Sequence, residues 1–184
     1  MSGPRPAFSR IAGSRPVAAA CLVMVNALLL GLIVVGNLTD YGTNLAYVRH
    51  VLSMDTTGGD PDVMWRAIDV PALWHTAYIG IIVWEAAATL ALVAALVFYV
   101  RGWTDGGLDR ARGWASIGLV MVVLLFGCGF IAVGGEWFQM WRSADWNGVE
   151  PAFRNVVLAV LGLILVHLPD AGRNASGSQS GSTI

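Results

Sequence analysis

Four stretches of the chain are almost free of polar side chains: residues 17–36, 73–100, 115–133 and 153–168. A helix of about 20 apolar residues crosses a hydrocarbon core some 30 Å thick. Three of the runs approach or exceed that length, and the fourth is shorter. In lipid no water pairs the backbone, each unpaired N–H or C=O costs several kcal/mol, and a lone apolar run escapes that cost only as a helix. The pattern predicts an all-α, polytopic membrane protein with four transmembrane helices. Pro16, Pro71 and Pro151 stand just ahead of three runs, where a missing N–H costs a helix nothing. The third run has Asp109 instead, an expected N-cap ahead of Arg110.

The connections on one side are long. Residues 37–70 and 134–150 are polar and tryptophan-rich, and the pattern predicts that they fold into a structured outer, periplasmic cap. Within residues 44–55, Leu45, Val48 and Leu52 recur at helical spacing, the mark of an amphipathic segment lying on the membrane surface. Asp60-Pro61-Asp62 reads as the cap and first turn of a short helix over residues 63–68, and Gly134-Gly135 as a helix end. An internal echo runs through both loops. Met64-Trp65-Arg66-Ala67-Ile68-Asp69 matches Met140-Trp141-Arg142-Ser143-Ala144-Asp145 at four of six positions, and each copy leads into a Pro-Ala pair and a span. Two helix hairpins related by an axis along the membrane normal produce such a pattern; so does chance in a chain rich in Trp and Arg.

Arginine placement orients the helices. Arg5, Arg10, Arg15, Arg101, Arg110, Arg112 and Arg173 fall on one side with Asp105, Asp109 and Asp170. The other side has Arg49, Arg66, Arg142 and Arg154 against Asp40, Asp55, Asp60, Asp62, Asp69, Glu136, Asp145 and Glu150. Basic residues are retained in the cytoplasm, so both termini are expected there, in the cell membrane. The first run exceeds the 7–15 residues of a signal-peptide core and leads into Asn37-Leu38-Thr39-Asp40, a poor cleavage site; it reads as an uncleaved span. The domain reading is a cytoplasmic segment over residues 1–16, a membrane domain over 17–168 and a Gly/Ser-rich disordered cytoplasmic tail over 169–184. Trp65, Trp74, Trp137, Trp141 and Trp146 crowd the expected outer boundary and Trp103 and Trp114 the inner one, as an aromatic belt does.

Candidate chemistry is sparse. Glu85 is the one ionisable residue deep in a run, where a charge costs roughly 2.5–3.5 kcal/mol on insertion scales, so it should be protonated or paired. Asn26, expected at about the same depth, can donate to and accept from a carboxyl. Tyr78, Glu85 and Thr89 share a face of the second run, and Ala87, Ala91 and Ala95 form a small-residue ridge nearly opposite, which makes this the central helix. Glu85 is then either a proton or cation site or an interhelical hydrogen bond. The loops hold a second polar set: Asp40, Tyr41, Asn44, His50, Asp55, Arg66, Glu136, Arg142 and Arg154. Carboxylates with His50 could act as acid and base; the alternative is Arg–carboxylate pairing that holds the cap together. His50, His75 and His167 do not converge on one depth, Cys21 and Cys128 are isolated within apolar runs, and no phosphate loop, nucleophile elbow or zinc motif occurs. No cofactor, metal or nucleic-acid partner is expected.

The loop motifs carry a resemblance. Residues 37–44 (Asn-Leu-Thr-Asp-Tyr-Gly-Thr-Asn), 50–57 (His-Val-Leu-Ser-Met-Asp-Thr-Thr), Trp65-Arg66-Ala67-Ile68, residues 134–141 (Gly-Gly-Glu-Trp-Phe-Gln-Met-Trp), Trp146-Asn147-Gly148 and Ala152-Phe153-Arg154 resemble the bacterial predicted small integral membrane proteins classed under domain of unknown function 2165. The resemblance spans about residues 26–168 and implies a four-span bacterial membrane protein; it brings no activity or catalytic residue. After Thr57 this chain has Gly58-Gly59-Asp60 where a more apolar residue is expected. The leading functional expectation is a non-catalytic accessory or scaffolding subunit that binds another membrane protein or itself in the lipid bilayer. The alternatives are a small transporter or proton-coupled solute-binding protein using Glu85, and a membrane enzyme with an acid/base site at the outer face.

Overall fold

The computed structural model describes residues 15–105 and 108–168, with residues 103–105 as backbone. The segment carrying Arg5 and Arg10, the tail from residue 169 with Asp170 and Arg173, and the side chains of Trp103 and Asp105 lie outside the described residues. Five helices follow in order: α1 (Arg15–Thr39), α2 (Tyr41–Ser53), α3 (Pro71–Asp105), α4 (Asp109–Val123) and α5 (Val149–His167). From Leu124 to Trp137 α4 continues as a π-helix. Two 3-10 turns, Met64–Arg66 and Met140–Arg142, punctuate the loops. No strand occurs among the described residues. Four helices are long and apolar enough to cross a membrane: α1, α3, α4 with its π-helical continuation, and α5. The protein is an integral membrane protein.

The four long helices form a ring. α1 packs on α3 and α5, and α4 packs on the same two, so α3 lies between α1 and α4. The seams are built from small side chains, which let backbones approach where lipid removes the hydrophobic drive between helices. Ala19, Val23, Ala27 and Leu30 of α1 meet Ala88, Leu92 and Ala95 of α3, with Ala111, Ala115 and Leu119 of α4 and Ala152 and Ala159 of α5 completing the core. At the closest point Leu92 rests on Gly118, and Leu119 sits against Gly162. The expected ridge on α3 holds in part: Ala91 and Ala95 are buried but Ala87 is exposed, and Tyr78, Ile82, Glu85, Ala88, Leu92, Ala95 and Tyr99 form one buried stripe. Successive spacings of three and four residues keep them on one helix face. Glu85 therefore belongs to the same face as the alanines.

Several local expectations shift. α1 runs three residues beyond Gly36 and takes Asn37 into the helix. The helix of the third run ends at Trp137, past Gly134-Gly135, because π-helical bonding carries the chain through both glycines to Phe138, whose N–H reaches Val133 O at 3.0 Å. Asp109 lies one position inside α4, 3.8 Å from Arg112, and Leu108 holds the cap position without a side-chain bond. The helix expected over residues 63–68 shrinks to a single 3-10 turn, because the Ile68 N–H is taken by Leu52 O at 2.8 Å. The amphipathic segment is helical, but its apolar face is covered by protein: Val48 packs with Tyr78 and Ile82 of α3, with Leu45 and Leu52 beside them.

The two loops interlock. Thr56 Oγ1 donates to Ser143 Oγ at 2.9 Å, Arg142 lies 3.6 Å from the Asp60 carboxylate, and the Tyr47 hydroxyl donates to Met140 Sδ at 2.7 Å. Gly58 and Gly59 adopt φ of +92° and +65°, a region closed to most side chains. This is the physical reason for glycine where an apolar residue was expected. The two Met-Trp-Arg motifs fold alike. In each, the residue after arginine donates to the methionine carbonyl (Ala67 to Met64 at 3.0 Å, Ser143 to Met140 at 3.1 Å) and turns extended.

Candidate solute-binding cavity at the loop end

The sequence-predicted polar residues divide into three groups in space. Asn26 is buried and ties α1 to α5: its Nδ2 donates to Leu22 O at 2.9 Å and to Leu158 O at 3.3 Å. It does not meet Glu85. The partner of that carboxyl is Asn37, whose Nδ2 donates to Oε2 at 2.7 Å. The reason is depth. Asn37 stands level with Glu85, and Asn26, eleven residues earlier on α1, lies about 16 Å farther from the loops at 1.5 Å per residue. Ending the first span at Gly36 hid this.

The loop residues mostly hold structure. His50 Nδ1 lies 2.8 Å from Asp55 Oδ1, and its ring stacks on Trp146 with centroids 4.4 Å apart. Tyr41 Oη is 2.9 Å from His75 Nδ1, and the Tyr41 ring meets Tyr78 at 4.8 Å. His167 pairs instead with Ser116 at 2.9 Å, so the three histidines serve three different contacts. Asp40 is exposed, and its carbonyl accepts from Asn44 Nδ2 at 3.0 Å. Arg142 pairs with a carboxylate as expected. Arg66 does not: its guanidinium lies 4.7 Å from the Trp137 ring centroid and 5.5 Å from that of Trp65, and Nη1 donates to Trp137 O at 3.4 Å. The quadrupole of an aromatic face attracts a cation, so two tryptophans supply what a carboxylate was expected to. Glu136 and Arg154 are exposed and join none of these clusters.

The third group lines a half-open cavity of about 290 Å³ between the end of α1, α2, α3, the π-helix and the start of α5. Asn37, Asn44, Tyr78, Glu85, Asn147 and Asn155 face it. Glu85 is only 1 % exposed, and the Tyr78 hydroxyl donates to Asn37 O at 3.0 Å, so α3 fixes both ends of that asparagine. Thr89 Oγ1 bonds the Glu85 carbonyl at 2.8 Å and stays within its own helix. Phe126 and Phe130 of the π-helix form the apolar wall, their rings 5.3 Å apart. π-helical turns are rare and concentrate at functional sites; here the π-helix begins at the level of the cavity. Tyr47 of α2 closes one side. Burial pushes its hydroxyl up to about 12, against a weak opposing pull from the Gly148 backbone, so it remains a protonated donor across the physiological range.

Sequence reasoning missed Asn37, Asn147 and Asn155. Asn37 was detectable: eleven residues is close to three helical turns, so it shares a face with Asn26 once the helix is extended. Asn147 and Asn155 lie on either side of Pro151; Asn147 stood in the Trp146-Asn147-Gly148 motif without a site role attached, and Asn155 carried no pattern. Among the described residues, no carboxylate, histidine or cysteine other than Glu85 lines the cavity. Among the described residues no group of three or more such side chains is placed to hold a metal ion.

Comparison with known proteins agrees with this architecture. No curated protein and no solved structure matches the chain. The sequence profile of one family, described as "Predicted small integral membrane protein (DUF2165)", matches residues 16–169, which take in all four spans and both interlocked loops. The chain belongs to the DUF2165 family of small integral membrane proteins.

Proposed function

We propose that this protein binds a small polar solute in the Glu85 cavity and couples binding to the protonation of that carboxyl, as a small transporter or proton-coupled solute-binding protein. The observation that carries this reading is a carboxyl side chain, 1 % exposed, held by one asparagine bond and opening into a cavity faced by four asparagines. One partner suffices for a structural hydrogen bond. Ionisable groups inside membrane-spanning helices are costly and mark solute or proton pathways. Asn37, Asn44 and Asn147 each make bonds within the protein, and the amide capacity they leave, with that of Asn155, supplies what a solute would need. In proteoliposomes loaded with a pH-sensitive dye, at least one of ammonium, ethanolamine, glycine or glycerol is expected to drive proton movement, and Glu85→Gln is expected to abolish it while folding normally. Equal proton movement in the two proteins, or none with any solute, would overturn the reading.

A second reading, the accessory or scaffolding subunit, draws on Trp65 and Trp141, 69 % and 54 % exposed on the two ordered 3-10 turns. A stoichiometric protein partner that survives gentle detergent purification and is lost in Trp65→Ala/Trp141→Ala would favour it. Seven of eleven arginines fall on the side of the termini, which supports placing both in the cytoplasm and the interlocked loops on the outer face. A reporter active only in the cytoplasm should work when fused at Ile184; activity of a reporter that matures only outside would reverse this orientation.

A further inference from the structure

The Glu85 cavity adjoins a second, apolar one. Tyr47, Val48, Ile81 and Phe130 line both, and beyond them lies a cleft of about 190 Å³ between α2, α3 and the π-helix. Leu52, Ala77, Leu125 and Val133 are among its lining residues, and no charged or amide side chain is among those described there. Its origin lies in the ring. α3 and α4 pack closely where Leu92 rests on Gly118, whereas α3 and the π-helix share little contact, so the two part toward the loops. Val48 and Leu52 of α2 cover only the top of the gap. The cleft is half open, and Val133 in its lining is 49 % exposed.

A polar chamber with one acidic group and an apolar cleft thus share a wall. Among the described residues no arginine or histidine lines the polar chamber, and a cationic group would complement Glu85 by a charge-assisted hydrogen bond. Resting on the solute-binding reading, we infer that the ligand is a cationic amphiphile: an ammonium headgroup beside Glu85 and the asparagines, with an alkyl tail in the cleft lined by Ile81, Leu125 and Phe130. Tyr47 and Phe130 stand where head meets tail. Their aromatic bodies are apolar, and the Tyr47 hydroxyl is already committed to Met140, so the boundary presents no unpaired polar group to the chain. The π-helix serves both chambers, with Phe126 on the polar side, Leu125 and Gly129 on the apolar side, and Phe130 on both.

The test uses decylamine carrying a photoactivatable diazirine at the tail end, with the full-length protein in phosphatidylcholine nanodiscs. Labelling is expected at residues 77–81 and 125–133, to be suppressed by excess decylamine, and to fall at least tenfold in Glu85→Gln. Gly129→Leu fills the cleft from its exposed rim, where the nearest atom to an added Cβ is a flexible Leu125 methyl at 3.7 Å; it is expected to remove tail labelling from the cleft. Protection of Glu85 by ethylamine against dicyclohexylcarbodiimide reports the polar chamber separately and should survive Gly129→Leu. Ethylamine protection without cleft labelling would overturn the amphiphile and leave the solute-binding reading standing. Labelling spread over lipid-facing positions such as Leu28 and Leu90, and indifferent to Glu85→Gln, would mean bulk partitioning and overturn it equally. Absence of both protection and labelling would remove both readings.

Discussion

Glu85→Leu is expected to destabilise the protein in detergent by about 1 kcal/mol, the net contribution of the hydrogen bond it deletes to a half-buried donor. The donor in question is Asn37 Nδ2, which Tyr78 holds in place through the Asn37 carbonyl. Asn37→Leu should cost a similar amount, because it strips the carboxyl of its one bonded partner. The double substitution should cost little more than either alone, with a coupling of about 1 kcal/mol or above, since both changes delete one shared interaction. Asn26→Leu, about 16 Å deeper and bonded to α5, should add its full effect to Glu85→Leu. Glu85→Gln retains an acceptor for Asn37 and should stay near wild-type stability. Thermal unfolding midpoints across this set decide the matter. Strict additivity of Asn37→Leu with Glu85→Leu would dissolve the pair, and coupling with Asn26→Leu would move the partnership to the other asparagine.

Two glycines of α4, five residues apart, should respond to alanine with opposite signs. A Cβ at Gly113 meets nothing within 4 Å, so Gly113→Ala gains the ordinary helix preference of alanine, about 0.5–1 kcal/mol. A Cβ at Gly118 would stand 2.6 Å from Leu92 Cγ and 3.2 Å from the Ala88 carbonyl oxygen. Leu92 is fully buried and cannot swing aside, so the α3–α4 seam must open, at about 1–3 kcal/mol for an overpacked core. Unfolding of the two variants in the same detergent reads the difference directly. A neutral or stabilising Gly118→Ala would mean that this seam is looser than its contacts describe.

The legible parts of the fold were those on which lipid leaves no choice. A run of apolar residues must be a helix in a bilayer, and every run became one. The Met-Trp-Arg echo was legible too, because a three-residue 3-10 turn is a local structure that two similar hexapeptides reach independently of their surroundings. Arg66 shows where local reading fails. An arginine in a loop with five carboxylates is expected to find one, yet Trp65 and Trp137 reach it first, and nothing in the order of residues ranks those partners. The π-helix was illegible for another reason. Leu124–Trp137 is glycine-rich and apolar nearly throughout, so it has no polar face whose drift would reveal a change of helical period. Glu85 was found because charge inside an apolar run is conspicuous. Asn37 was missed because polarity at the edge of a run reads as loop, although Asn37 belongs to the last turns of the helix.

The ring also dictates an order of assembly. Its closing seam joins α1 to α5, the first and last of these four spans in chain order, so α1 enters the bilayer before its contact with α5 can form. The side chain most exposed to that delay is Asn26, an amide facing hydrocarbon until α5 arrives. Its two bonds answer the problem in sequence. The one to Leu22 O lies within α1 and forms as soon as the helix does, and the longer one to Leu158 O is made only at closure. A polar residue near the middle of the first of these spans can thus wait for the last with one of its two amide N–H groups already paired, and then fasten the two helices together with the other.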